Sequence, residues 1–335
     1  MLPLLALLAT LIVVSPSYAQ KKNPTDAAQA AASQEDVVRV NTNLVTVPVS
    51  VMDRQGRFIT DLLEEQFHLY EDGVEQRIAY FESVEGPFTV ALLLDTSDST
   101  QFKLKDIQNA AVAFVGQLRP DDRVIVVAFD SGIRELTEAT NDHNVLSEAI
   151  RHTRTGGGTS LYDAFDLIVR RRLGQVRGRK AIVLFTDGVD TTSRKATYES
   201  TLRNAEELDA LVYSIQYNTY NDSTDSQSNG TAQGQRVRLA TPKGESLSVA
   251  YERANRYLRL IADKTGGRIF YANTIKNLTT SFARIAAELS QQYSLGYYPQ
   301  NQTSERQRRE LKVRVTVPNV VVRARKSYVY RQPSR

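Results

Sequence analysis

The spacing of hydrophobic residues along this chain changes twice. Between residues 37 and 81, apolar and polar positions alternate, as in the run Val45–Val51, which is the pattern of half-buried β-strands. From Phe88 to Leu289, continuous apolar runs alternate with stretches in which apolar residues recur every three or four positions. This part predicts buried parallel strands separated by amphipathic helices. After Tyr293 the strand-like pattern returns, without helices.

The central part predicts a doubly wound, mostly parallel sheet covered by helices on both faces. Its predicted strands are Phe88–Leu94, Arg123–Phe129, Lys180–Thr186, Leu211–Tyr217 and Arg268–Tyr271. Its predicted helices are Phe102–Leu118, Leu161–Leu173, Tyr198–Leu208, Ala254–Lys264 and Ile275–Leu289. The polar stretch Asn218–Val249 interrupts the alternation, and we expect it to be a long surface loop.

The strand-like segments on either side of the central part are too few for each to bury a core of its own. We therefore expect residues 37–85 and 293–331 to form one small antiparallel β-sandwich, into which an α/β domain of residues 86–292 is inserted. Pro48 cannot donate to a strand ladder, which predicts an edge strand or a bulge at that position. Gln76–Phe81 is predicted to form a hairpin with the short strand before it.

Residues 1–19 have the pattern of a signal peptide. Leu2–Val14 is apolar, and Ser15–Ala19 ends in a small-x-small sequence, so we expect cleavage near Ala19. Residues 20–36 are polar and predict a flexible tether. No later window approaches the length of a membrane span, and the chain has no cysteine. These features predict a soluble mature protein without disulfides, exported to the periplasm or secreted.

Charge and composition argue against two classes of function. The formal net charge of +4 is modest, so we expect no nucleic-acid partner. The three histidines, at 68, 143 and 152, have neither zinc-site spacing nor an evident Ser-His-Asp arrangement. No lysine follows the glycine run at 156–158, as it would in a phosphate-binding loop. We expect a protein that is not an enzyme.

Polar residues follow two of the apolar runs at positions that could hold one metal ion. Asp95, Ser97 and Ser99 follow the first central strand, Asp187 follows the third, and Thr159 comes directly after the glycine run. The carboxyl ends of parallel strands lie at the edge where open α/β sheets bind ligands. Two carboxylates and three hydroxyls form an all-oxygen set, which suits Mg²⁺ or Mn²⁺.

Other interpretations of these residues remain open at this point. Asp and Ser after strands are also ordinary turn and N-cap residues, so Asp95 and Ser99 could merely cap the helix predicted from Phe102. A metal could also bind here only to stabilise the loops. The neighbouring acids Asp98 and Asp190 are expected to be solvated loop residues.

In their order and spacing, the candidate ligands resemble the metal-ion-dependent adhesion site of von Willebrand factor A (VWA) domains. The resemblance covers about Phe88–Leu289 and includes the flanking segments Gly157–Ala164 and Leu184–Gly188. Outside that region, Phe67–Gly73 and Tyr293–Pro299 are similar to segments of a group of bacterial exported VWA-related proteins.

The VWA resemblance implies that the candidate ligands bind Mg²⁺ or Mn²⁺ and that an open coordination position takes an Asp or Glu side chain of a partner protein. The predicted function is therefore Mg²⁺-dependent protein binding by an exported, adhesion-type module. One alternative is a scaffold or chaperone-like subunit of an envelope complex that makes contact through its β-sandwich. A metal-dependent hydrolase is a second alternative, and it would need a histidine or an acid converging on the ion.

Overall fold

The computed structural model describes residues 44–83, 86–176, 178–217, 241, 244–300 and 307–330. The predicted signal peptide, the predicted tether and most of the predicted loop at 218–249 lie outside the described residues. All the described residues belong to one compact unit, Thr42–Arg335.

The strands and helices follow the predicted alternation with two differences. The strand Ile133–Glu135 and the helix His143–Arg151 are additional, and the helix predicted from Ala254 begins at Leu247, inside the predicted loop. The strands are β1 Val45–Asp53, β2 Phe67–Glu71, β3 Val74–Gln76, β4 Ile78–Glu82, β5 Phe88–Asp95, β6 Arg123–Phe129, β7 Ile133–Glu135, β8 Arg179–Thr186, β9 Leu211–Gln216, β10 Arg268–Tyr271, β11 Tyr293–Tyr297, β12 Arg308–Val315, β13 Val320–Ala324 and β14 Ser327–Val329. The helices are α1 Leu104–Val115, α2 His143–Arg151, α3 Leu161–Leu167, α4 Tyr198–Glu207, α5 Leu247–Thr265 and α6 Ile275–Leu289.

A six-stranded sheet in the order β10-β9-β8-β5-β6-β7 forms the centre of the α/β part. All neighbouring strands are parallel except β6 and β7, which form an antiparallel hairpin at one edge. The central strands β5 and β8 are almost entirely buried. This is why they appear in the sequence as continuous apolar runs rather than as an alternation.

Helices cover both faces of this sheet, as the sequence predicts. Helices α1, α2 and α6 pack on one face through residues such as Phe114, Ile150 and Phe282. Helices α3, α4 and α5 pack on the other face, where Phe165 and Tyr257 are buried. The two hydrophobic layers hold the ends of β5 and β8 in fixed positions.

The remaining strands form two four-stranded sheets, β13-β1-β11-β4 and β14-β12-β2-β3. In each sheet, strands that precede the α/β part pair with strands that follow it: Val47 lies opposite Leu295, and Leu69 lies opposite Val313. Side chains from both sheets share one hydrophobic core. The predicted fold is therefore confirmed, with the α/β part inserted between the two halves of a β-sandwich; the exact domain boundaries stay predictions.

Two predicted details of the sandwich are wrong. Strand β1 is not an edge strand, because it pairs with both β11 and β13; Pro48 is tolerated because pairing with β13 begins only at Val49. The predicted hairpin arm Gln76–Phe81 is divided near Arg77 between β3, which pairs with β2, and β4, which pairs with β11 in the other sheet.

Candidate metal centre

The candidate carboxylates Asp95 and Asp187 lie at the ends of neighbouring strands. Strands β5 and β8 are parallel neighbours, with Leu94 opposite Phe185, so their carboxyl ends meet at one edge of the sheet. The hydroxyl of Thr186 donates to Asp95 Oδ2 across this junction over 2.6 Å. The structure therefore brings together the first and third predicted segments.

The loop after β5 folds so that its two serine hydroxyls meet. Ser97 Oγ lies 3.0 Å from Ser99 Oγ, and the Ser97 amide donates to Asp95 Oδ1 over 3.0 Å. Ser97 is buried and Ser99 is exposed to solvent. Helix α1 has Lys103 as its N-cap residue, with no side-chain cap bond. The interpretation of Asp95 and Ser99 as caps of this helix is therefore wrong.

Thr159 is buried between the other two segments. Gly156, three residues before it, donates its amide to the Thr96 carbonyl in the loop after β5 over 2.9 Å. The Thr159 amide donates to Thr191 Oγ1 over 2.8 Å, and the Thr191 amide donates to the Thr159 carbonyl over 2.9 Å. The Thr159 segment is thus joined by hydrogen bonds to the loops that follow β5 and β8.

Asp187 is held by groups from its own loop and from α5. Its Oδ1 accepts the Val189 amide over 3.0 Å, and its Oδ2 accepts the Tyr251 hydroxyl over 3.3 Å. Sequence reasoning missed Tyr251. No local motif marks it, because only the packing of α5 beside the β8 loop brings it to Asp187.

Burial and like charge act together on the acids. Asp95 is completely buried. Its burial, together with the negative charge of Asp187, raises the pKa of Asp95 to about 7, although hydrogen bonds from Ser97 and Thr186 oppose the shift. Two neighbouring buried carboxylates are costly to ionise together. A divalent cation bound at these oxygens would offset that cost.

The donor set fits a hard divalent cation. Across the described ranges, no three His, Cys, Asp or Glu side chains group as a metal-binding cluster. The candidate set has only two carboxylates and draws its other donors from Ser97, Ser99 and Thr159, so it is not a cluster of that kind. Oxygen donors of this type are those preferred by Mg²⁺ and Mn²⁺.

The two neighbouring acids behave differently from each other. Asp98 is exposed, as the sequence predicts. The prediction for Asp190 is wrong, because its side chain is only 4% exposed. Asp190 Oδ1 accepts the Ser193 hydroxyl over 2.5 Å and the Tyr162 amide over 3.3 Å. Asp190 therefore holds the loop after Asp187 against the start of α3.

The three histidines lie in other parts of the chain, and all three are among the described residues. His68 is on β2 of the sandwich, where its Nδ1 lies 2.7 Å from Glu75 Oε1. His143 begins α2, and His152 follows its last turn. None of them lies in the three segments that carry the candidate ligands.

Residues 90–189 match the family model described as von Willebrand factor type A domain. The matched stretch contains all the candidate ligands and confirms the resemblance to VWA domains there. It does not include the sandwich strands, so the similarity of Phe67–Gly73 and Tyr293–Pro299 to exported VWA-related proteins stays a prediction.

An uncharacterised protein of Synechocystis sp. is 29% identical over 106 residues, which are 30% of this chain and 25% of that protein. This chain therefore matches about a quarter of the length of that relative.

Among solved structures, the vWF domain of the type V pili tip protein Mfa5 from Porphyromonas gingivalis is 14% identical, with a TM-score of 0.45, and the match covers 61% of this chain and 95% of that chain. A von Willebrand factor type A protein from Catenulispora acidiphila is 11% identical, with a TM-score of 0.47, over 88% of this chain and 76% of that chain. These identities are too low to carry a function over to this chain. Within the described residues, no helix has the length and apolar character needed to cross a membrane.

Proposed function

We propose that this chain, which contains a von Willebrand factor type A domain, binds Mg²⁺ or Mn²⁺ and through it an acidic side chain of a partner protein. The proposed ligands are Asp95, Ser97, Ser99, Thr159 and Asp187. The observation that carries the proposal is the meeting of two buried, mutually repelling carboxylates with hydroxyl-bearing loops at one edge of the sheet.

The chemistry of the proposed ligands suits exchange with a partner. Three of them are neutral hydroxyls, so the two aspartates would leave little excess negative charge around the site. When bound, the cation would supply an electrophilic position that an Asp or Glu oxygen can occupy in place of water. Ser99 and Asp98 are exposed, so the β5 loop is open to solvent on at least one side.

The proposal places the protein outside the cytoplasm and assigns no catalysis to the site. Export is supported by the signal-peptide pattern of residues 1–19. A binding role is favoured over metal-dependent hydrolysis because a hydrolase needs a general base beside the ion. The histidines lie elsewhere, and the neighbouring buried acid Asp190 already accepts hydrogen bonds from Ser193 and Tyr162.

Isothermal titration of the purified protein tests the metal site. We expect one Mg²⁺ or Mn²⁺ site that is lost in Asp95→Ala and in Asp187→Ala, because each change removes a carboxylate that the hydroxyls cannot replace. Ser97→Ala and Thr159→Ala should weaken binding without preventing folding. Asp98→Ala is the matched control, since it removes an adjacent but exposed carboxylate and should leave the affinity unchanged. Wild-type affinity in both aspartate variants would refute the ligand assignment.

Capture of partners tests the second part of the proposal. Immobilised protein is incubated with envelope extract in Mg²⁺, washed, and then eluted with EDTA. We expect EDTA to release the captured protein and the Asp187→Ala variant to capture none. Capture that survives EDTA would instead favour the scaffold alternative, in which the β-sandwich makes the contact.

A further inference from the structure

The hairpin formed by β6 and β7 carries an ion pair beside the candidate metal centre. Asp130, at the hairpin tip, is only 5% exposed. Its Oδ2 lies 2.7 Å from Arg134 Nη1, and its Oδ1 accepts the Gly132 amide over 2.8 Å. Both carboxylate oxygens are thus fixed by groups of the hairpin itself.

The tip of this hairpin also holds the segment that carries Thr159. The Ser160 amide donates to the Asp130 carbonyl over 2.7 Å, and the Ser131 amide donates to the Gly157 carbonyl over 3.0 Å. The Ser160 hydroxyl donates to the Ser131 carbonyl over 3.1 Å. These bonds lie on both sides of Thr159 in the sequence and restrict its backbone.

The same hairpin contacts the loop that carries the other candidate ligands. Arg134 Nη2 donates to Thr96 Oγ1 over 3.1 Å. The Thr96 amide donates to the carbonyl of Phe129, the last residue of β6, over 2.8 Å. Thr96 lies between Asp95 and Ser97, so Arg134 connects the hairpin directly to the β5 loop.

Because residue 156 is a glycine, the Asp130 carboxylate can pack against the backbone of the segment that carries Thr159. A Cβ atom at position 156 would lie 2.3 Å from Asp130 Oδ2 and 2.7 Å from its Cγ. Any side chain there would displace either the carboxylate or the Thr159 segment. The glycine is therefore required by the ion pair at this position.

From these contacts we infer that Asp130 and Arg134 are a positioning pair that sets the separation of the Thr159 segment from the Asp95–Ser99 loop. Neither residue belongs to the proposed ligand set. They act through the backbone of Gly156–Ser160 and through Thr96. This inference rests on the proposed metal site. It adds the residues that hold the Thr159 segment at a fixed distance from the Asp95–Ser99 loop.

We expect the Asp130–Arg134 pair to affect metal affinity because the Asp130 carboxylate is buried. Without Arg134, the Asp130 carboxylate would lose its charge partner, and a buried unpaired charge is strongly unfavourable. Asp130 would then move toward solvent, and the segment packed against it would move as well. Changes to groups that orient metal ligands typically reduce metal affinity by about 10- to 100-fold.

Titration of the full chain with Mn²⁺ tests the pair through Arg134→Gln and Arg134→Lys. We expect Arg134→Gln to weaken Mn²⁺ binding by roughly 10- to 100-fold and Arg134→Lys, which keeps the charge, to recover part of that loss. Arg57→Gln is the matched control, because Arg57 forms an ion pair of the same i,i+4 spacing with Asp53 in the sandwich. The Mn²⁺ affinity of this variant should equal that of the wild type. Circular dichroism in EDTA should show that all the variants are folded.

The possible failures are distinguishable. Wild-type affinity in Arg134→Gln would overturn this inference and leave the proposed function intact. Absence of Mn²⁺ binding by the wild-type chain would overturn the proposed function and the inference with it.

A double-mutant cycle tests the steric part of the inference independently. Gly156→Ala should weaken Mn²⁺ binding, because the new Cβ meets the Asp130 carboxylate. In Asp130→Ala the clashing oxygen and Cγ are gone, and the nearest remaining atom is the Asp130 Cβ at 3.3 Å. We therefore expect the double variant to bind as Asp130→Ala does, with no further loss. Strictly additive losses would overturn the inferred contact, since only coupled residues depart from additivity.

Discussion

Asp95 is completely buried, and Asp187 lies close enough for its charge to act on it. The two acids resemble ordinary turn residues in the sequence, yet burial and repulsion raise the pKa of Asp95 from its ordinary value of 3.8 to about 7. A shift in this direction means that the folded protein holds a proton that the unfolded chain would release. Cation binding and protonation therefore compete at Asp95.

This competition predicts opposite pH dependences with and without metal. Between about pH 4 and 7 the folded state binds more protons at Asp95 than the unfolded state, so this residue makes the metal-free protein less stable as the pH rises. Mg²⁺ affinity should instead increase as the pH rises through about 7, because the ion binds the carboxylate.

Urea denaturation in EDTA at several pH values measures the first effect, and titration calorimetry measures the second. Asp95→Asn is the control, since it cannot ionise and should remove this part of the pH dependence of stability. An identical pH dependence in Asp95→Asn and wild type would contradict the prediction.

At the scale of elements, helix α5 completes a site that the sequence attributes to loops alone. Its Tyr251 donates to Asp187, and its residues Ala254 and Leu258 pack against Gly188 in the loop after β8. Gly188 has a φ of 87°, in the left-handed region that favours glycine. The position of the Asp187 loop therefore depends on a helix that lies about sixty residues later in the chain.

This packing predicts that Gly188→Ala destabilises the folded protein. An alanine Cβ would meet Leu258 Cδ1 at 2.9 Å in addition to adopting an unfavourable φ. Gly73→Ala is the matched control, because Gly73 has a φ of 82° but no atom within 4 Å of the added Cβ. Gly73→Ala should lower the free energy of unfolding by about 1–2 kcal/mol through backbone strain alone. In Gly188→Ala, overpacking should lower it by roughly 1–3 kcal/mol more.

Chemical denaturation of both glycine variants measures the difference. Only Gly188→Ala is expected also to weaken Mg²⁺ binding, since Gly73 lies in the β2–β3 turn of the sandwich. Equal losses of stability in the two variants would show that α5 does not constrain the Asp187 loop.

At the scale of the whole molecule, buried polar groups join the sandwich to the α/β part. Arg325, which follows β13, is only 5% exposed and donates to the carbonyls of Glu206 and Leu208 at the end of α4, over 2.6 and 3.1 Å. On α6, the buried carboxylate of Glu288 is paired with Arg323 of β13. The insertion is therefore not a loosely tethered domain.

Arg325→Ala should consequently destabilise both parts together. It removes charge-assisted hydrogen bonds to the carbonyls of buried Leu208 and half-buried Glu206, and bonds of this kind contribute about 1.5–3 kcal/mol. Arg170→Gln, which breaks an exposed pair with Asp166, is the control and should change stability by about 0–1 kcal/mol. Thermal denaturation followed by tyrosine fluorescence and by far-ultraviolet circular dichroism should give one lowered transition for Arg325→Ala. Two separate transitions in the wild-type protein would contradict this coupling.

The sequence by itself predicted most of the strands and helices and supplied the candidate ligands. Both are local properties, since burial on two faces produces the apolar runs and the candidate acids Asp95 and Asp187 stand directly at the ends of such runs. It also predicted the pairing of the flanks, because neither flank could bury a core alone.

Only the tertiary structure decided which groups surround those ligands. The division of the strand near Arg77 between two sheets, the burial of Asp190, the approach of Tyr251 to Asp187 and the contact of Arg134 with Thr96 all join segments with no shared local pattern. Such contacts depend on which elements become neighbours when the core packs, and the period of hydrophobic residues along one segment carries no information about that choice.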